Sequence, residues 1–111
     1  NKDALKKYRS DKYCTYKYPI SSMIEIFKIN HDMHNIKNYK SQNKDLEILS
    51  VSGALDPVTG FEKGLNDSKK TLEKIGYKEP KFIVYDNMYH EVLNETDNKK
   101  VYKDILDFLS E

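Results

Sequence analysis

Apolar residues are scattered at the start of this chain and become periodic only later. Over residues 1–18 Lys, Asp and Tyr crowd together, from Tyr8 through Tyr13 and Tyr16 to Tyr18, and predict irregular structure after one helical turn at Asp3 to Lys7. From Pro19 the spacing changes. A proline at a helix start, with Ser21 or Ser22 as N-cap, predicts a helix from Ser21 to about Asn30. Ile20, Met23, Ile24 and Phe27 follow the i, i+3, i+4, i+7 rule, and Ile26, Ile29 and Met33 form a second stripe. A helix apolar on two faces wants two partners. Residues 35–45 return to a polar connector.

The second half is more regular. Leu46 to Ser52 is a short, mostly apolar, partly β-branched run that stops at Gly53, the profile of a buried parallel strand. Leu65, Ser68, Leu72 and Ile75 recur at helical spacing over residues 62–75, and Gly76 closes that helix as its C′ residue. Lys81 to Tyr85 reads as a second strand. Val101, Ile105, Phe108 and Leu109 mark a terminal helix, with Thr96 or Asn98 as its cap. Strand, helix, strand, helix implies a right-handed parallel crossover, whose strands are normally covered on both faces. The fold class is therefore α/β, but two parallel strands are too few for a free-standing sheet. Strands from upstream residues or from a second chain are expected to complete it.

Composition narrows the function classes. With 19 basic and 18 acidic residues the net charge is +1, so no net field draws the chain to nucleic acid or to anionic lipid. Arg9 is the one arginine among those basic residues. Bidentate readout of phosphates or bases is then nearly unavailable, and nucleic acid is not an expected partner. Cys14, the single cysteine, cannot pair within the chain, which excludes a disulfide-stapled mini-protein. No apolar run approaches the ~20 residues of a bilayer span. A soluble, reducing, cytoplasmic setting is the expectation.

Candidate chemistry concentrates after the two strands. Asp56 follows the first strand's carboxyl end, with Pro57 blocking helix continuation, and His90 lies in the loop after the second. In open α/β sheets functional groups collect at the carboxyl ends of strands. An Asp bonded to the Nδ1–H of a His is the orienter-and-base pair of a nucleophilic triad. The competing reading makes Asp56 a turn residue and His90 polar surface.

Several stretches carry a family resemblance: Ser52-Gly53-Ala54-Leu55-Asp56-Pro57-Val58, Phe61-Glu62-Lys63-Gly64, Tyr89-His90-Glu91-Val92-Leu93-Asn94-Glu95, and Val101 through Leu109. Together they closely resemble the C-terminal part of α/β-hydrolases of the monoacylglycerol lipase and lysophospholipase group, which are serine-aminopeptidase-like. Upstream, Asp11-Lys12-Tyr13-Cys14 and the helix after Pro19 are similar to the end of that group's lid. The resemblance implies the last two parallel strands of an α/β-hydrolase fold with flanking helices and part of the lid. Residues 1–45 would be the end of the lid and a connector, and residues 46–111 the C-terminal strand-helix-strand-helix part of the core. It also implies Asp56 as triad acid and His90 as general base of a serine hydrolase that cleaves carboxylic esters. No metal or organic cofactor is implied. The expected partners are a small lipid or ester substrate and the N-terminal part of the hydrolase or a second chain.

One motif of that group is missing. The nucleophile elbow G-x-S-x-G does not occur; the glycines are Gly53, Gly60, Gly64 and Gly76, and the Gly60–Gly64 pair brackets Glu62 where a serine would stand. The nucleophile and the oxyanion-hole amides are thus expected outside these residues, and the chain alone is expected to be inactive. Its length fits about the last two fifths of a domain that commonly runs to ~250 residues. Met23 and Phe27, on the helix after Pro19, are candidate wall residues over an acyl chain, and the tyrosines of residues 8–18 either line a substrate pocket or pack half exposed.

Elsewhere the bland readings prevail. His31 and His34 share a helix face near Asp32, but two ligands are too few for a zinc site. Cys14 reads as a plain thiol, and Lys69-Lys70 and Lys99-Lys100 as solvated helix faces. The alternative from another class is a non-enzymatic, hydrolase-like interaction module whose sheet is completed by dimerisation or a partner.

Overall fold

The computed structural model describes residues 2–41 and 43–110; Gln42, in the expected connector, lies outside the described residues, as do Asn1 and Glu111. Two compact units result, Asn1–Lys40 and Ser41–Glu111.

In the first unit, helix α1 spans Lys2–Ser10, longer than the single turn expected. Asp3 in its first turn and Lys7 and Arg9 in its last complement the helix dipole, and neither Gly nor Pro interrupts it. It ends where the Asp11 carboxylate accepts the Tyr13 amide at 2.8 Å, a local turn that competes with further helix. Helix α2, Ile20–Met33, starts one residue before the expected boundary and runs three residues past it. Pro19 itself is the N-cap, in extended conformation, and no side chain caps the helix. Its carbonyl accepts the amides of Ser22 and Met23, so the expected serine cap is corrected: both serines fall inside the first turn. The far end is closed by side chains, with Tyr39 Oη donating to the Met33 carbonyl at 2.9 Å and Asn38 to that of Asp32 at 3.2 Å. Asn38 belongs to a 3₁₀ turn at Ile36–Asn38 inside the expected connector. Neither α1 nor α2 contains a buried residue.

The second unit is built on two parallel strands. Strand β1 is Leu49–Gly53 and β2 is Lys81–Tyr85, in register from Leu49 opposite Lys81 to Gly53 opposite Tyr85. β1 begins three residues later than the apolar run suggested. The ladder starts when Lys81 donates to the Ile48 carbonyl at 2.8 Å; the residue before it is Pro80, which has no amide to extend the pairing. Between the strands runs α3, Phe61–Ile75, closed by Gly76 at φ 111°, where only glycine is comfortable. After β2 and a 3₁₀ turn at Val92–Asn94 comes α4, Asn98–Ser110. Asn98 is thus the first helical residue and not the cap; its Nδ2 donates to the Leu93 carbonyl at 2.9 Å.

Period-two alternation places Val51, Ile83 and Tyr85 on one face of the strand pair, and there they meet Val101 and Ile105 of α4 together with Met88 and Val92. This is the core, and Val101 is closed to solvent. Phe82 and Val84 belong to the other face, where a cleft of 560 Å³ remains between them and Phe61 and Leu65 of α3. The expected two-sided cover is therefore found on one face, by α4, while the cleft leaves the other open in part. No helix among the described residues is long and apolar enough to cross a membrane.

Candidate active site

Three backbone bonds set the geometry at the carboxyl ends of the strands. Ala54 donates to the Tyr85 carbonyl at 2.9 Å, Leu55 to that of Met88 at 3.0 Å, and Met88 back to that of Tyr85 at 3.2 Å. The first two lash the loop after β1 to β2 and the loop after it, and the third closes a turn within that second loop. A side chain at Gly53 would forbid this, since a Cβ there would stand 2.2 Å from the Met88 carbonyl oxygen and 2.3 Å from that of Tyr89. Gly53 is needed for close backbone approach.

From this junction the chain turns, with the Asp56 amide donating to the Gly53 carbonyl at 3.2 Å. Pro57 holds Asp56 out of the helical region. The Asp56 side chain then folds over its own turn, where Oδ1 accepts the Val58 amide at 2.8 Å, while Thr59 Oγ1 donates to the Asp56 carbonyl at 3.0 Å. Oδ2 points to the other loop and lies 2.9 Å from His90 Nδ1. Asp56 is only 2% exposed. Among the described residues no buried side-chain nitrogen or oxygen lacks a partner.

Burial by itself pushes the Asp56 carboxyl up. The His90 hydrogen bond, the Val58 amide, the His90 charge and the Thr59 amide together outweigh that and hold it below the usual carboxylate range. An ionised carboxylate can only accept, so the His90 Nδ1 facing it carries a proton. Its Nε2 makes no hydrogen bond among the described residues, and the imidazole is 62% exposed. A buried, oriented carboxylate thus fixes the tautomer of a ring whose basic nitrogen faces outward, an arrangement that can abstract and return a proton.

The two residues picked from separate strand-end loops are therefore brought into direct contact. Met23 and Phe27 lie one turn apart on α2 in the first unit, both exposed. Tyr13, Tyr16 and Tyr18 are likewise exposed, with the rings of Tyr16 and Tyr18 meeting edge to face at 5.7 Å. His34 turns its Nδ1 onto the Asn30 carbonyl at 2.7 Å, and no group of three potential metal ligands occurs among the described residues. Cys14 is half buried and forms no disulfide.

Two supports escaped the sequence reading. Tyr85, at the end of β2, is buried and donates its hydroxyl to Asp104 Oδ2 on α4 at 2.9 Å. Burial, the bond and the carboxylate's charge push its pKa up to about 12. In the His90 loop, Glu95 Oε1 accepts the Tyr89 amide at 3.1 Å. An aspartate and a glutamate in polar surroundings give no periodic signal, so nothing in the pattern marked them.

Comparison with known proteins returns one family. A family model described as serine aminopeptidase, S33, matches residues 1–97, which include both Asp56 and His90. No curated protein and no solved structure matches the chain significantly.

Proposed function

This chain belongs to the serine aminopeptidase (S33) family of α/β-hydrolase-type hydrolases, and we propose that Asp56 and His90 are the acid and base of its Ser-His-Asp triad. The observation that carries this reading is the 2.9 Å contact between His90 Nδ1 and the buried Asp56 Oδ2. Chain order agrees, because triads of this fold run Ser, then Asp, then His. No serine here stands in a G-x-S-x-G elbow, so in this reading the nucleophile is supplied from outside the 111 residues.

Mechanistically, His90 Nε2 accepts the proton of the serine hydroxyl as its oxygen attacks the carbonyl carbon of the substrate. The imidazolium is stabilised by Asp56, and it returns that proton to the oxygen of the leaving alcohol as the carbonyl–oxygen bond breaks. Water then releases the acyl group by the same two proton transfers. The substrate class we assign is carboxylic esters with an acyl chain, of the monoacylglycerol or lysophospholipid type. That choice rests on the likeness of residues 52–58 and 89–95 to that group and on the apolar α2, whose Met23 and Phe27 would contact the acyl chain. No metal or organic cofactor enters the scheme.

The test compares two proteins against a fluorophosphonate serine probe and a panel of aryl ester, monoacylglycerol, lysophospholipid and aminoacyl anilide. The 111-residue chain alone is expected to show neither labelling nor turnover. A full-length protein carrying it should label and hydrolyse the esters in preference to the anilide. Saturable turnover by the chain alone would overturn the triad assignment, and anilide preference would overturn the substrate class.

A further inference from the structure

We propose that Glu95 is a positioning residue for His90, acting through the backbone amide of Tyr89. The inference rests on the Asp56–His90 reading above and concerns what holds the base in place.

His90 is 62% exposed and its one hydrogen bond among the described residues is to Asp56. A ring so placed owes its direction to its backbone, and that backbone is held from two sides. On one side the Met88 and Tyr89 carbonyls press against Gly53, and the Met88 carbonyl accepts the Leu55 amide at 3.0 Å. On the other side stands Glu95. Its Oε1 accepts the Tyr89 amide at 3.1 Å, which clasps residues 89–95 into a closed loop with His90 inside it. Strand pairing has ended at Tyr85, so no ladder bond takes up the Tyr89 amide. Glu95 Oε1 takes that place, as an acceptor that reaches the Tyr89 amide.

The clasp is itself anchored to the core helix. The Leu93 carbonyl, two residues before Glu95, accepts both Tyr102 Oη at 2.8 Å and Asn98 Nδ2 at 2.9 Å from α4. The Asn98 amide donates to the Glu95 carbonyl at 3.2 Å. Glu95 therefore joins a rigid helix, whose Val101 is closed to solvent, to the peptide preceding the base.

The Met88 carbonyl and the Tyr89 amide share one planar peptide, which the Leu55 bond still holds at its oxygen; losing the Glu95 acceptor removes the second restraint, on its nitrogen, and lets the imidazole drift from the Asp56 carboxylate. A displacement of about 1 Å at a catalytic group can cost on the order of a hundredfold in rate.

The experiment uses the full-length hydrolase and an aryl ester, with rates expressed per site labelled to completion by a fluorophosphonate. Glu95→Ala is expected to lower kcat about ten- to hundredfold with KM within about twofold. Glu95→Asp, which keeps the charge but draws the acceptor back by one methylene, should fall with it. Glu95→Gln, which keeps a carbonyl acceptor at full reach, should stay within about threefold of the unaltered enzyme. If Glu95→Gln is as slow as Glu95→Ala, or Glu95→Asp as fast as the unaltered enzyme, the amide clasp is not the cause and the proposal fails. His90→Ala separates the two levels. Full activity in His90→Ala removes the underlying triad reading, whereas an inactive His90→Ala beside a fully active Glu95→Ala removes the Glu95 proposal alone.

Discussion

Helix α2 and the pair of loops around Asp56 make an instructive contrast. α2 carries Ile20, Met23, Ile24, Ile26, Phe27, Ile29 and Met33, yet none of them is buried. The second unit encloses Tyr85, Met88, Val92 and Val101, and next to them an ionised aspartate. Apolar content alone does not create an interior. The second unit has one because parallel pairing sets β1 and β2 side by side, so that alternate residues face α4 together. Once that layer exists, carbonyls and amides at the strand ends must find partners, and satisfying them draws the two loops together. α2 meets its interior hydrogen bonds within the helix and its end groups from residues close by in the chain, Pro19, Asn38 and Tyr39, so it draws no distant segment to it.

The contrast can be broken or sharpened at several points. The largest effect is expected at Asp56. In the full-length protein Asp56→Asn should preserve the fold, while turnover falls by on the order of 10⁴, as expected when an orienting carboxylate no longer fixes the tautomer. Steady-state ester hydrolysis beside circular dichroism measures both.

Next comes the layer beneath. Val101→Asp places an unpaired charge in a site closed to solvent and should lower stability by several kcal/mol, enough to lose cooperative unfolding. Gly53→Ala meets backbone carbonyls rather than a flexible side chain and should cost about 1–3 kcal/mol or more. Urea denaturation reports both. A Gly53→Ala protein as stable as the parent would show that the loops do not need their close approach.

Titration should act on the second unit at both ends of the pH scale. Asp56 is held below its ordinary value of 3.8, so its stabilisation is present above that value and is lost as the pH falls through the lowered one. Tyr85 is raised from 10.0 to about 12, so the stability it contributes is present below pH 10.0 and is lost as the pH climbs through about 12. Unfolding midpoints against pH should show an acid limb absent from Asp56→Asn and an alkaline limb absent from Tyr85→Phe.

The smallest expected effect lies in α2. Phe27→Asp replaces an exposed side chain and should change stability by no more than about 0.5 kcal/mol. In the full-length protein it should lower long-chain relative to acetyl ester turnover. An unchanged ratio would overturn the proposal that Phe27 contacts the acyl chain.

Legibility followed the periodic signal. β2 and the C-terminal end of α3 stood in the sequence as they stand in the structure, because β-branched runs and a glycine after the last apolar position state their roles locally. Boundaries that depend on a neighbour were misjudged. β1 starts at Leu49 because its partner begins only after Pro80, and Asn98 serves the Leu93 carbonyl because that group lies within reach across a turn. Asp56 and His90 were legible as residues after strand ends, supported by their likeness to a family.

By itself, then, the sequence determined the order of strands and helices, the capping glycine, and which acid and which histidine stand at strand ends. Only the tertiary structure decided that their atoms meet at 2.9 Å, that the aspartate is sealed while the histidine ring stays open, and that Glu95 Oε1 accepts the Tyr89 amide across the loop between β2 and α4. The reason is physical. Periodicity and turn preferences act over a few residues, whereas a hydrogen bond between residues far apart in the chain depends on the parallel register that brings the two loops into reach.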